Sequence, residues 1–334
     1  MKIRESLENR ERLNYSPYAT LSMNTKGRKV EEEPCDIRPC FQRDRDRILY
    51  SKSFRRLKDK TQVFLTPDGD HYRTRMTHTL EVAQNARTIA RALKLNEDLA
   101  EAIAFGHDLG HTPFGHAGER ALNAICPYGF KHNEQSLRTV EFLEKDGRGL
   151  NLTFEVRDGI LNHELELTPI TLEGKVVRLS DKIAYIHHDM DDAIRGGILK
   201  ESDVPDKITK VIGHTNGEWL NTFIHDIVEA SLGHNDILMS GEVEEALFNL
   251  RTFMFENVYT NPVAKSQEGK AENLIQILYQ YYMDHDELLP EYLKRLSDTQ
   301  PKERLVCDFI SSMTDRFAIA RFHEYFVPKS WDVL

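Results

Sequence analysis

The sequence predicts an all-α protein, on three observations. Apolar residues recur at spacings of three and four through most of the chain, helix-start and helix-stop residues bracket those runs, and alternating strand patterns are scarce. The 334 residues allow one large domain or two ordinary ones, and 40% hydrophobic with 29% charged residues fits a globular chain. The pattern divides into a polar arm over residues 1–40, a helical core over 41–200, and a helical extension over 201–334 packed on that core.

Residues 24–39 (NTKGRKVEEEPCDIRP) show no periodicity and read as a loop or arm. The pattern turns helical from about residue 43, where the alternating charges of Arg43 to Arg47 read as a solvated helix face. Gln62-Val63-Phe64-Leu65, before Pro67-Asp68-Gly69-Asp70, is a weak strand candidate. Val82, Ala83, Ala86, Ile89, Ala90 and Leu93 share one face of a helix. Asn96 then caps a second, with Glu97 and Asp98 favourably placed in its first turn. That helix carries Leu99, Ala102, Ile103 and Phe105 and is expected to end near Gly110. A third runs from about Gly174 to Ile194 through Val176, Leu179, Ile183, Ile186 and Met190, and Gly196-Gly197 stops it. Residues 240–296 are again helical and rich in aromatics.

No apolar stretch approaches a membrane span, and the N-terminal residues show no apolar signal region, so the expected compartment is the cytoplasm. Four scattered cysteines do not make a disulfide framework. Cys35 and Cys40 lack a second Cys/His pair and read as loop thiols rather than a zinc site. The net charge of −10 argues against generic binding to duplex nucleic acid. Residues 43–75 are the exception: ten Lys/Arg against five Asp leave them locally +5, which suits a small polyanion.

Four of the fourteen histidines fall within residues 107–132: His107, His111, His116 and His132. The stretch Gly106-His107-Asp108-Leu109-Gly110-His111-Thr112-Pro113-Phe114-Gly115-His116-Ala117-Gly118-Glu119 sets imidazoles beside carboxylates in a turn, a density that packing does not explain. His-Asp itself occurs four times, so the dipeptide alone says little. His225-Asp226 and His285-Asp286 read as surface pairs. Only His107-Asp108 has an organised surround, which includes His78 at the start of the first helix and Asp181 in the middle of the third. These two imidazoles and two carboxylates suit one divalent ion: Mn, Fe, Co, Ni or Zn, and less ideally Mg. Such an ion polarises a phosphoryl group and supplies hydroxide near neutral pH. Asp181, Tyr185 and Asp189 share a helix face opposite the apolar stripe. Each alone would be a solvated residue, but with Arg178 and Lys182 they read as a pocket wall.

The arrangement His78…His107-Asp108…Asp181 resembles the HD superfamily of metal phosphohydrolases. Longer strings narrow the likeness: Ser53-Phe54-Arg55-Arg56-Leu57, Asp59 to Phe64, Arg73-Thr74-Arg75-Met76-Thr77-His78-Thr79-Leu80-Glu81, and Asp181-Lys182-Ile183-Ala184-Tyr185 with His188-Asp189. Over about residues 40–200 they resemble the deoxyguanosinetriphosphate triphosphohydrolases, the bacterial dNTPases. The resemblance implies an HD-domain helical core elaborated with additional helices, and a reaction converting a dNTP to deoxynucleoside and tripolyphosphate. It implies that His78, His107, Asp108 and Asp181 hold the metal. His116, paired with Glu119, would act as general acid or nucleophile-positioning base, and His111 and His132 would line the phosphate site. Arg75, Lys182 and Tyr185 would touch phosphates, with Arg55 a further substrate contact. Gln62 would sit near the sugar and Asp189 at its 3′-hydroxyl.

Beyond residue 200, Arg251 and Tyr259 are candidate nucleotide contacts against a reading as surface arginine and buried aromatic. His163, His187, His214, His225, His234 and His323 are assigned to structure or surface. The resemblance implies a homo-oligomer; a dNTP activator is a further candidate partner, and the basic segment makes single-stranded DNA a secondary one. Two other readings stay open: another HD phosphohydrolase such as a nucleotidase, and a nucleotide-sensing regulatory protein.

Overall fold

The helix Glu97–Gly106 is the centre of the architecture. A computed structural model describes residues 2–62, 73–260 and 267–329. Its helices are α1 (Ile3–Asn14), α2 (Cys40–Leu49), α3 (Lys52–Arg56), α4 (Arg75–Ala92), α5 (Glu97–Gly106), α6 (Gly115–Ile125), α7 (His132–Arg138), α8 (Phe154–Leu161) and α9 (Leu172–Arg195). They continue with α10 (Asp206–Ile212), α11 (Asn216–Ser231), α12 (Gly241–Met254), α13 (Glu268–Asp284), α14 (Glu291–Lys294), α15 (Lys302–Ser311) and α16 (Asp315–Phe326). Among the described residues there is no sheet, only the isolated bridges Arg28 to Thr153 and Thr61 to Thr74. Apart from Gln62, the weak strand candidate lies outside the described residues.

Every residue of α5 from Leu99 to Gly106 except Glu101 is buried, because α2, α4, α8 and α9 surround it. Asn96 caps it as expected, its side chain accepting from the Leu99 N–H at 3.2 Å. The helix stops at Gly106 rather than near Gly110, and residues 107–110 form a turn clamped onto α7. The Gly110 N–H donates to Ser136 Oγ at 2.8 Å, and that hydroxyl donates to the His107 carbonyl at 2.6 Å. A Cβ at Gly110 would lie 2.1 Å from the Ser136 nitrogen, so the close approach requires glycine there. In α9, Thr171 accepts from the Gly174 N–H and starts the helix at Leu172; Gly196 and Gly197 end it.

The apolar interior forms two clusters that do not divide at residue 200. The first runs from Phe41 to Val258 and includes α10, α11 and α12. The second joins α6 and Phe130 to α13, α15 and α16.

The N-terminal arm is more ordered than its composition suggests. Buried carboxylates stitch it down: Glu173 accepts from the Thr20 N–H and hydroxyl, Glu11 from Ser22, and Glu155 from Thr25 and Lys26. The expected solvated face at Arg43 to Arg47 is corrected. Asp44 is fully buried against Arg28 and Thr153, Arg45 pairs with Asp98 and Glu101, and Arg47 pairs with Glu32.

Candidate functional site

His78 lies in the first turn of α4, His107 and Asp108 directly follow α5, and Asp181 sits mid-way along α9. Because α5 packs on both α4 and α9, the four side chains converge. His78 Nε2 is 3.0 Å from Asp181 Oδ1 and 3.8 Å from Asp108 Oδ2. His107 Nε2 is 3.4 Å from Asp108 Oδ1 and 3.6 Å from Asp181 Oδ1.

The donor set fits a divalent cation on a structural ground. His107 Nδ1 is 2.7 Å from the Ala104 carbonyl, which fixes the proton on Nδ1 and leaves a lone pair at Nε2. That Nε2 is buried and has no hydrogen-bond partner among the described residues. A buried lone pair facing two carboxylates is stable only around positive charge. The field shows the same preference. Burial alone would lower His107, but Asp108 and Asp181 push it up to about 9. Burial would raise both carboxyls, yet His107 and its neighbours hold Asp108 and Asp181 well below the usual range.

A second group adjoins the first. The rings of His111 and His132 stack with centroids 3.9 Å apart, and His111 Nε2 is 3.2 Å from Asp108 Oδ1. Glu119 forks between two imidazoles: Oε1 meets His132 Nδ1 at 2.9 Å, and Oε2 meets His116 Nδ1 at 3.1 Å. Burial would raise Glu119, but hydrogen bonds from His116 and His132 drive it far below the ordinary carboxylate range. Against its own burial, His132 is raised by Glu119. The His116 side chain is 64% exposed and stands at the cavity mouth.

His78, Asp108, Asp181, His111, His116 and His132 line a cavity of about 490 Å³ that also takes in Gln62, Arg75, Lys182, Tyr185 and Asp189. Arg75 is buried, and its guanidinium donates to Asp108 Oδ2 at 2.8 Å, so it braces a carboxylate of the cluster. Gln62 Oε1 is buried without a partner among the described residues. The Tyr259 hydroxyl donates to Asp189 Oδ2 from a π-helical turn (Phe255–Tyr259) that extends α12. Burial, reinforced by Asp192, pushes Asp189 up to about 8. Arg251 and Arg178 complete the wall beside Tyr185 and Lys182.

Three expectations are corrected. Arg55 does not reach the cavity; it is exposed and lines a separate surface cleft with Arg38, Arg43, Lys145 and Arg148. The basic segment as a whole does not form the pocket either. Of its ten cations Arg75 alone lines the cavity, while Arg73 pairs with Asp191, Asp192 and Glu81. His163 was assigned to structure or surface, yet its buried ring lines the cavity, with Nε2 3.2 Å from His132 Nε2. Its string, Asn162-His163-Glu164, carries no spacing signal that would have marked it.

Two sequence-family profiles match the chain: the HD domain over residues 75–186 and the phosphohydrolase-associated domain over residues 237–324. A deoxyguanosinetriphosphate triphosphohydrolase-like protein of Caldanaerobacter subterraneus subsp. tengcongensis is 55% identical over 99% of this chain and 98% of its own length. A protein of the same description from Desulfatibacillum aliphaticivorans is 49% identical over 98% of this chain and 99% of its own. A third, from Geobacter sulfurreducens, is 37% identical over 97% and 98%.

Proposed function

The chain belongs to the deoxyguanosinetriphosphate triphosphohydrolase-like family of HD-domain phosphohydrolases, and from that premise we propose that it hydrolyses a deoxynucleoside triphosphate to deoxynucleoside and tripolyphosphate. The observation that carries the reading is the junction of two groups on one cavity: the His78, His107, Asp108 and Asp181 cluster and the imidazoles held by Glu119.

His78, His107, Asp108 and Asp181 would hold one divalent ion, of which Mn, Fe, Co, Ni, Zn and Mg all accept nitrogen and oxygen donors. When bound, that ion supplies Lewis-acid charge stabilisation at a phosphoryl group and makes water more acidic. The protein's own part is binding and proton transfer. Lys182, Arg251 and Arg178 present positive charge to a polyphosphate. As water adds to the α-phosphorus, the bond from phosphorus to O5′ breaks, and O5′ leaves well only if it gains a proton. Protonated His116 keeps one proton on Nδ1 against Glu119 and offers the other from Nε2 at the cavity mouth. Asp189, held by Tyr259, and the unpartnered Gln62 oxygen provide polar contacts for a sugar.

The test is incubation with each dNTP and Mn²⁺ or Mg²⁺, with products separated by ion exchange. The expected products are deoxynucleoside and intact tripolyphosphate, both absent with the double variant His107→Ala/Asp108→Ala. Release of orthophosphate or pyrophosphate instead would sink the triphosphohydrolase reading.

A further inference from the structure

His78 and His107 face the same cluster but are oriented by different means. His107 gives its Nδ1 proton to a carbonyl of its own helix, a partner that no side-chain substitution removes. His78 depends on side chains. Its Nδ1 lies 3.3 Å from Nδ1 of His188, a buried residue of α9 two turns beyond Asp181. The two rings meet edge to face, with centroids 5.3 Å apart and planes at 87°. At the far end of the His188 ring, Nε2 meets the carboxylate of Glu81, one turn beyond His78 on α4. The other Glu81 oxygen meets Arg73 Nε at 3.3 Å, and Arg73 is anchored in turn by Asp191 and Asp192.

One arrangement of protons satisfies this chain. A carboxylate only accepts, so His188 carries its proton on Nε2. The neutral ring then has a lone pair at Nδ1, and the atom facing it, Nδ1 of His78, must be the donor. His78 is thereby left with a lone pair at Nε2, 3.0 Å from the Asp181 carboxylate. Two acceptors facing each other across that gap make a place for a cation.

We propose that Glu81 and His188 are positioning residues of the metal site, a carboxylate–imidazole relay that fixes the tautomer and ring plane of His78. The proposal rests on the reading that His78, His107, Asp108 and Asp181 hold the ion. A partner that accepts from the second nitrogen of a ligating histidine contributes about 10–100-fold in metal affinity.

The test titrates Mn²⁺ into metal-stripped full-length protein and follows free Mn²⁺ by electron paramagnetic resonance. Thermal unfolding of each metal-free form shows that it is folded. His188→Ala is expected to weaken Mn²⁺ binding about 10–100-fold. His188→Asn places an amide oxygen near the lost Nδ1 acceptor and is expected to recover most of the affinity. His188→Leu fills the space without an acceptor and is expected not to. If the alanine form does not fold, the asparagine and leucine forms decide the matter. Wild-type affinity in the leucine form, or equal affinity in the asparagine and leucine forms, would overturn the relay in favour of packing. The same titration separates the two ideas. Tight binding by the wild type that is lost in His107→Ala/Asp108→Ala and unchanged in His188→Ala removes the relay alone. A wild type that binds no Mn²⁺ removes the metal reading, and the relay with it.

Discussion

At the scale of single residues, the side chains proposed to bind the ion and the one proposed to donate the proton are separable by experiment. His116 is not one of the four cation-facing residues; it meets His132 through the fork of Glu119 and lies edge-on to His111, whose Nε2 reaches Asp108. His116→Ala is therefore expected to lower kcat by about 10²–10⁴-fold, the usual contribution of a positioned general acid, with KM and Mn²⁺ affinity little changed. Steady-state kinetics with a parallel metal titration check this, and a matching loss of Mn²⁺ affinity would place His116 in the metal site instead. Asp189 gives a pH signature. Its folded value of about 8 exceeds the ordinary 3.8, so the folded state favours the protonated carboxyl. The resulting stability is complete below about pH 4 and is lost as pH rises towards 8. Asp189→Asn keeps an acceptor for Tyr259 and has nothing to ionise. Its melting temperature should match wild type near pH 4 and exceed it near pH 8, as read by calorimetry. The convergence of His78, His107, Asp108 and Asp181 and the contact of His116 with Glu119 involve residues that lie in the strings carrying the resemblance, and so were legible. His163 was not, because only the packing of α8 on α5 and α7 brings it to the cavity.

At the scale of elements, α4 and α9 were legible because each buries a stripe of apolar residues against α5. The arm was not, because hydrogen bonds to buried Glu11, Glu155 and Glu173 hold it down and leave no periodicity to read. The same limit hid the entry to α6, which sets where His116 points. Phe114 and Gly115 both have positive φ there, at 63° and 56°. Asp315, at the start of α16, holds the bend: it accepts from the Phe114 N–H at 3.0 Å and from the Thr61 N–H at 3.0 Å. Asp315→Ala would remove the acceptor of the buried Phe114 N–H, a loss of about 1–3 kcal/mol. Asp315→Asn keeps one oxygen and should lose less. Urea unfolding of the two variants measures the difference, and equal losses would show that the carboxylate's acceptors do not hold the turn.

At the scale of the whole molecule, the cavity lies where the two apolar clusters meet. The first carries α4, α5 and α9 and so the four cation-facing residues; the second carries α6 and so His116 and Glu119. The seam does not follow the chain, because α6 packs on α13, far along it. The consequence can be measured. Leu278, on α13, is fully buried in the second cluster. Leu278→Ala removes packing beneath α6 and should cost about 2–5 kcal/mol. It leaves His78, His107, Asp108 and Asp181 on an undisturbed first cluster. The folded variant should therefore keep wild-type Mn²⁺ affinity while kcat falls, since positioning errors of about 1 Å are enough to slow proton transfer and attack. If Mn²⁺ affinity fell in step with kcat, the two clusters would be acting as one rigid support. The separation of metal binding from acid catalysis along the seam would then have to be abandoned.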